Sequence, residues 1–184
     1  MRHLIFFFIF CSTSTIMGQT DRNESIFWDI IDYKLFPDRC TEVAYVKTVD
    51  FKMLSYHINN FKKETKRIYY GHKTNKLDSI IFSKKEKEYI ISELSQLADF
   101  SWNLEDEKEL IPVENSELIS FLKKDKNREL KIISKPVFIR NGEIACVFSI
   151  HLCCGDFFGH ASLALYKKPA NKWVRWIALS HGDF

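Results

Sequence analysis

Five strand-like segments in the last third of the chain constrain its fold more tightly than any other feature. Residues 130–133, 136–140, 144–152, 160–166 and 173–179 are rich in β-branched, aromatic and alternating apolar residues. Asn141-Gly142 separates the second from the third. Asn-Gly is the strongest short hairpin signal, because both residues tolerate the positive φ of a tight turn. Lys168-Pro169-Ala170-Asn171 marks another turn before the last segment. Strands joined by tight turns run up and down, so the pattern predicts an antiparallel β-meander. In the third segment Ile144, Cys146, Phe148, Ile150 and Leu152 share one face, while Ala145 and Val147 on the other are apolar too. A strand apolar on both faces predicts a sheet covered on both sides.

The chain before residue 129 reads mainly as helix. In residues 21–36, Ile26, Phe27, Ile30, Ile31 and Lys34 fall at helical spacing, with Asp21 or Asn23 available as a cap and Pro37 as the stop. Residues 41–49 have strand composition. Phe51, Leu54, Ile58 and Phe61 predict a second helix, and 68–70 and 79–82 two short strands. Ser83-Lys84-Lys85-Glu86 is a capping box, followed by an apolar stripe of Ile90, Ile91, Leu94, Leu97 and Ala98, so a helix is predicted over 84–99. A short helix over 116–123 follows Pro112, and 125–128 is a turn. The expected fold is α+β, with N-terminal helices packed on a C-terminal antiparallel β-meander.

The start of the chain points to export. Arg2 precedes a purely apolar run, Leu4 to Phe10, and then a small, polar stretch to Gly18. This is the order of a secretory signal peptide, too short to span a membrane. Residues 1–18 are read as that signal and 19–184 as a single domain, with a secreted or periplasmic destination. Lipidation at Cys11 is disfavoured by the bulky Phe10 directly upstream. The 184 residues carry 27 basic against 24 acidic side chains, a balance of +3 that makes no case for a nucleic-acid binder.

The ending carries a recognisable pattern: Ser134-Lys135-Pro136-Val137-Phe138, Asn141-Gly142, Cys153-Cys154-Gly155, Gly159, Leu165-Tyr166-Lys167-Lys168 and Lys172-Trp173. It resembles a group of small secreted or lipidated bacterial proteins with a Ser-x-Pro-x-Phe, Cys-Gly turn and Lys-x-Trp order over about the last third. This chain differs in its adjacent cysteines and in having one glycine fewer in the turn. The resemblance implies a fold and a compartment, and no catalytic residue.

Cleavage after Gly18 leaves Cys40, Cys146, Cys153 and Cys154. An even count in an exported chain suggests disulfides. If residues 144–154 form one extended strand, Cys146 and Cys154 are separated by about 26 Å, whereas bridged Cα atoms lie within about 7 Å. The favoured bridge therefore joins Cys40 to Cys153 or Cys154, worth about 2–4 kcal/mol. Cys146 is then a buried thiol.

One polar constellation stands out: His151, Cys153, Cys154, Asp156 and His160, around the turn 155–159. Imidazole and thiolate suit zinc, but Cys-Cys-x5-His matches no recognised zinc spacing and oxidised cysteines do not ligate. No metal and no cofactor is assigned. A Cys153–His160 nucleophilic pair, with Asp156 orienting, suits an oxidising compartment poorly. There is no GxSxG, HExxH, P-loop or dinucleotide fingerprint. Residues 61–88 hold nine basic side chains against four acidic ones, interleaved with Tyr69, Tyr70 and His72. That stretch suits an anionic surface or a protein partner, although solvated helix faces are the commoner origin of such runs. Trp173 and Trp176, three apart, face opposite sides of a strand. The expected function is a non-enzymatic exported binding domain with an unidentified protein partner, of inhibitor or immunity type. The rival is a small hydrolase or metal-dependent enzyme built on the His151–His160 turn.

Overall fold

The structure, a computed structural model, describes residues 22–31, 42–65, 68–70, 78–97, 100–104, 110–124, 128–153 and 158–183. Helix α1 covers residues 22–31. It is followed by β1 (Glu42–Val46), α2 (Phe51–Lys63), β2 (Ile68–Tyr70), β3 (Ser79–Ile81), α3 (Lys84–Ser95), β4 (Ile111–Val113), α4 (Leu118–Lys124), β5 (Arg128–Ile133), β6 (Val137–Ile139), β7 (Ile144–Cys153), β8 (Phe158–Lys167) and β9 (Val174–Asp183). One sheet has the order β4-β1-β5-β7-β8-β9, with β6 also pairing with β7; β2 and β3 form a separate antiparallel pair.

The meander is present from β6 to β9, each strand antiparallel to the next. The full sheet is not the purely antiparallel one expected. β1 lies parallel to β5, and β4 parallel to β1, which makes the sheet mixed. Nor do the helices form an N-terminal block: α2 and α3 come between β1 and β4, and α4 between β4 and β5. Parallel neighbours cannot be joined by a tight turn. The chain must cross back over the sheet, and these helices are the crossings. β4 went unanticipated because it contains Pro112; that proline is tolerated because β4 lies at the sheet edge, paired only with β1.

Local chemistry accounts for the element ends. Ser83 Oγ accepts from the Glu86 N–H at 3.1 Å and Glu86 Oε2 from the Ser83 N–H at 2.9 Å, so the capping box at α3 is complete. This lowers the Glu86 pKa, through the Ser83 backbone and then Arg140. The α3 helix ends at Ser95, with Leu97 still buried beyond it; Ala98 and Asp99 lie outside the described residues. Asp50 caps α2 by accepting from the Lys52 N–H at 2.7 Å. Asn23 lies inside α1 rather than capping it. The connection from β6 to β7 is wider than the expected two-residue turn: Ile139 pairs with Ile144, and Arg140, Asn141 and Gly142 all have positive φ (50, 58 and 86°). Gly142 suits that conformation, which L side chains rarely adopt.

Between β5 and β6 the strand breaks at Pro136, which has no N–H to offer. Ser134 bridges the break. Its N–H donates to the Phe148 carbonyl and its Oγ accepts from the Phe148 N–H, both at 2.9 Å. Phe138, just beyond, packs against Trp173 with ring centroids 5.8 Å apart. Two parts of the C-terminal sequence pattern thus meet in space.

Both faces of the sheet are covered, as β7 foretold. On one face Leu54, Ile58 and Phe61 of α2 and Ile90 and Leu94 of α3 pack on Cys146, Phe148, Ile150 and Leu163. On the other, Ile26, Phe27, Ile30 and Ile31 of α1 pack with Tyr45, Trp102, Ala145, Val147, Ala164 and Trp173. Cys146 is the fully buried thiol expected, its pKa pushed up by that burial. Trp173 and Trp176 pack in opposite layers. The Trp176 Nε1–H donates to Asp78 at 2.6 Å, and Lys167 lies over its ring while pairing with Asp78 at 2.9 Å.

Candidate functional site

Strand register decides what the β7–β8 end can do. His151 and His160 are direct partners across β7 and β8, and Lys131 is the partner of His151 across β5 and β7. Glu129 stands opposite Cys153. Alternation puts Glu129, Lys131, Ser149, His151, His160 and Ser162 on the α1 face of the sheet, since Leu130, Ile132, Ile150 and Ala161 point to the α2–α3 layer. On the next strand His181 is opposite Ser162, and Asp183 opposite His160. The topology therefore brings together His151 and His160, two of the three polar-cluster residues singled out. Asp156 lies outside the described residues, as do Cys40 and Cys154. The backbone of Cys153 ends β7.

Three polar side chains at this end are buried, while His160 is half-buried. Glu129 and Lys131 are 0% exposed and His151 8%. Lys131 Nζ lies 3.5 Å from Glu129 Oε1 and donates to the Ile30 and Ile31 carbonyls of α1. His151 Nδ1 lies 3.6 Å from Glu129 Oε1. Burial pulls the His151 pKa below its ordinary value, and Glu129 only partly opposes this because Lys131 works against protonation. Burial alone would raise the Glu129 pKa, but His151 and Lys131 hold it below the ordinary carboxyl value. At neutral pH the site is thus a Glu129–Lys131 ion pair beside a neutral imidazole. Taking two charges out of water costs several kcal/mol per ion, and mutual attraction together with the Ile30 and Ile31 carbonyls offsets it.

On the opposite layer His57 of α2 shares a hydrogen bond with Ser180 at 3.0 Å, through Nδ1. The pairing of hydroxyl and imidazole is of the kind that activates a nucleophile. Here the imidazole is buried, packed against Phe148 and Tyr56, and no carboxylate orients it among the described residues. Burial lowers its pKa, as do His160 and His181 nearby. Among the described residues no group of three His, Cys, Asp or Glu is arranged to hold a metal ion.

An open groove lies elsewhere. A groove of about 430 Å³ on the α2–α3 layer is lined by Lys62, Lys84, Lys87, Glu88, Ile91 and Ser92. It draws on the basic stretch of residues 61–88. Tyr69 of that stretch is buried rather than available at the surface; Tyr70 leaves no described side chain and His72 lies outside the described residues.

Glu129 and Lys131 were not apparent as site residues, because Glu129-Leu130-Lys131-Ile132 alternates like a strand with one wet face. The available signal was the doubly apolar β7: its neighbour in the sheet must be covered on both faces as well.

No family model, curated protein or solved structure matches the chain. The described residues contain no helix long and apolar enough to cross a membrane.

Proposed function

We propose that the protein acts by binding: an exported, non-enzymatic interaction domain of inhibitor or immunity type whose partner is another protein. The observation that carries this reading is the burial of the polar side chains beside His160 on the α1 face. Glu129, Lys131 and His151 are buried, and Lys131 pairs with Glu129 and donates to the Ile30 and Ile31 carbonyls of α1. An enzyme needs acid, base and nucleophile converging on an open pocket. A groove lies instead among lysines on the other layer, and the hydroxyl in its lining, Ser92, accepts from Gln96. The basic start and apolar run of residues 2–10 support export with removal of residues 1–18. A bridge from Cys40 to Cys153 or Cys154 belongs to the same proposal.

A hydrolase or metal-dependent enzyme at the His151–His160 turn is the second reading, favoured by the direct pairing of those two histidines. Elemental analysis of the purified full chain and of His160→Ala separates the two. Metal-free protein, with His160→Ala only modestly less stable, is the expected result. One zinc per chain, lost on His160→Ala, would overturn the binding reading.

A further inference from the structure

We infer that the groove between α2 and α3 is a docking site for an acidic, extended segment of a partner protein that also carries apolar side chains. This rests on the binding-domain reading and names the surface and the partner's chemistry. The groove is lined by three ammonium groups and a single carboxylate, Glu88. That carboxylate is already paired with Lys84 at 3.8 Å. Lys62 has no ionic partner among the described residues, and neither has its exposed neighbour Lys63 nor Lys85 beside Lys84. Lys87 is fixed rather than waving in solvent: its ammonium donates to the Glu64 carbonyl and stands 4.9 Å over the Phe61 ring. The walls themselves are lysine stems and Ile91, so the groove is apolar within and cationic at its rim.

Beside it lies an exposed apolar pair. Ile68 and Ile81 are direct cross-strand partners in the β2–β3 ribbon and are 41% and 58% exposed. Two residues separate Ile81 from Lys84, so their Cα atoms, three steps apart, lie within about 11 Å of each other. A cross-strand isoleucine pair left in water beside a cationic groove fits a segment of alternating acidic and apolar residues. Its carboxylates would meet Lys62 and Lys84, and its apolar side chains Ile91 and the isoleucine pair. Nucleic acid fits less well. The groove has no arginine to grip a phosphate with two bonds and no exposed aromatic in its lining to stack a base.

The test uses the full chain and a fluorescein-labelled peptide of alternating Glu and Leu, read by anisotropy. Controls are a Lys-Leu peptide and a Glu-Gly peptide of the same length. Saturable binding of the Glu-Leu peptide is expected, weakening steeply toward about 0.5 M salt, where screening shortens to a few ångströms. The Lys62→Glu/Lys84→Glu variant, both positions exposed, should keep the wild-type circular dichroism and lose about tenfold or more in affinity. Ile81→Ser should weaken the Glu-Leu peptide and leave the feeble Glu-Gly binding where it was. Absence of Glu-Leu binding, equal binding by the lysine variant, or displacement of the peptide by a lower concentration of single-stranded oligonucleotide would each overturn the inference. Those results leave the binding-domain reading standing. Stoichiometric zinc lost on His160→Ala would overturn that reading without touching the groove result.

Discussion

Lys131 shows how one residue can join two layers. Its ammonium is fully buried, paired with Glu129 and donating to the Ile30 and Ile31 carbonyls of α1. Replacing it alone strands the Glu129 carboxylate and removes its hydrogen bonds to α1. Lys131→Met should therefore cost about 3–5 kcal/mol in a denaturant titration. The double variant Glu129→Leu/Lys131→Met should be more stable than the single one, since no unpaired charge is left buried; a double variant worse than the single would show that the pair is not the source of the loss. This cluster and His57 on the other layer set a pH dependence. His57 and His151 have folded pKa values below 6.5, so the unfolded chain binds protons that the folded one refuses. Their contribution is present above pH 6.5 and is lost as pH falls through the folded values. Glu129, held below 4.5, adds a second loss at still lower pH. Urea midpoints should be flat above neutrality and fall on acidification, with His151→Gln removing part of the slope. A midpoint that rises on acidification from neutrality would contradict these assignments.

At the scale of elements, what the sequence announced and what it concealed divide by range. The α3 cap is set by residues three apart, and the apolar stripe behind it by residues within three turns, so both could be read directly. Ser83→Ala should cost about 1 kcal/mol. Leu94→Ala, at a fully buried position, should cost about 2–5 kcal/mol. Equal and negligible losses would mean that α3 is not docked on the sheet. The β6–β9 hairpins were legible for the same reason, as was burial of Cys146 on the inner face of β7. The insertion of β1 between β4 and β5 was not. Parallel pairing of Glu42–Val46 with Arg128–Ile133 joins residues 86 apart, and no local pattern marks it. Pro112 concealed β4, because a proline inside a strand argues against a strand until its place at the edge is known. The polar constellation was half legible. The pairing of His151 with His160 follows from the hairpin register, but its burial depends on Glu129, Lys131 and α1, which no spacing rule connects.

Across the whole molecule the two faces of the sheet have different tasks. The α1 face encloses charge and uses it to hold α1 to the sheet, while the α2–α3 layer leaves charge outside around a groove. The basic stretch of residues 61–88 comes to line a groove because α2 and α3, both in the crossing between the parallel strands β1 and β4, are brought side by side. The proposal of a binding domain stands on that contrast. Amide hydrogen exchange of the full chain, with and without saturating Glu-Leu peptide, tests it most directly. The account predicts slowed exchange in the last turn of α2 and the first turns of α3, with the β7–β8 end around His151 and His160 unchanged. Slowing confined to the β7–β8 end, with α2 and α3 unaffected, would contradict it.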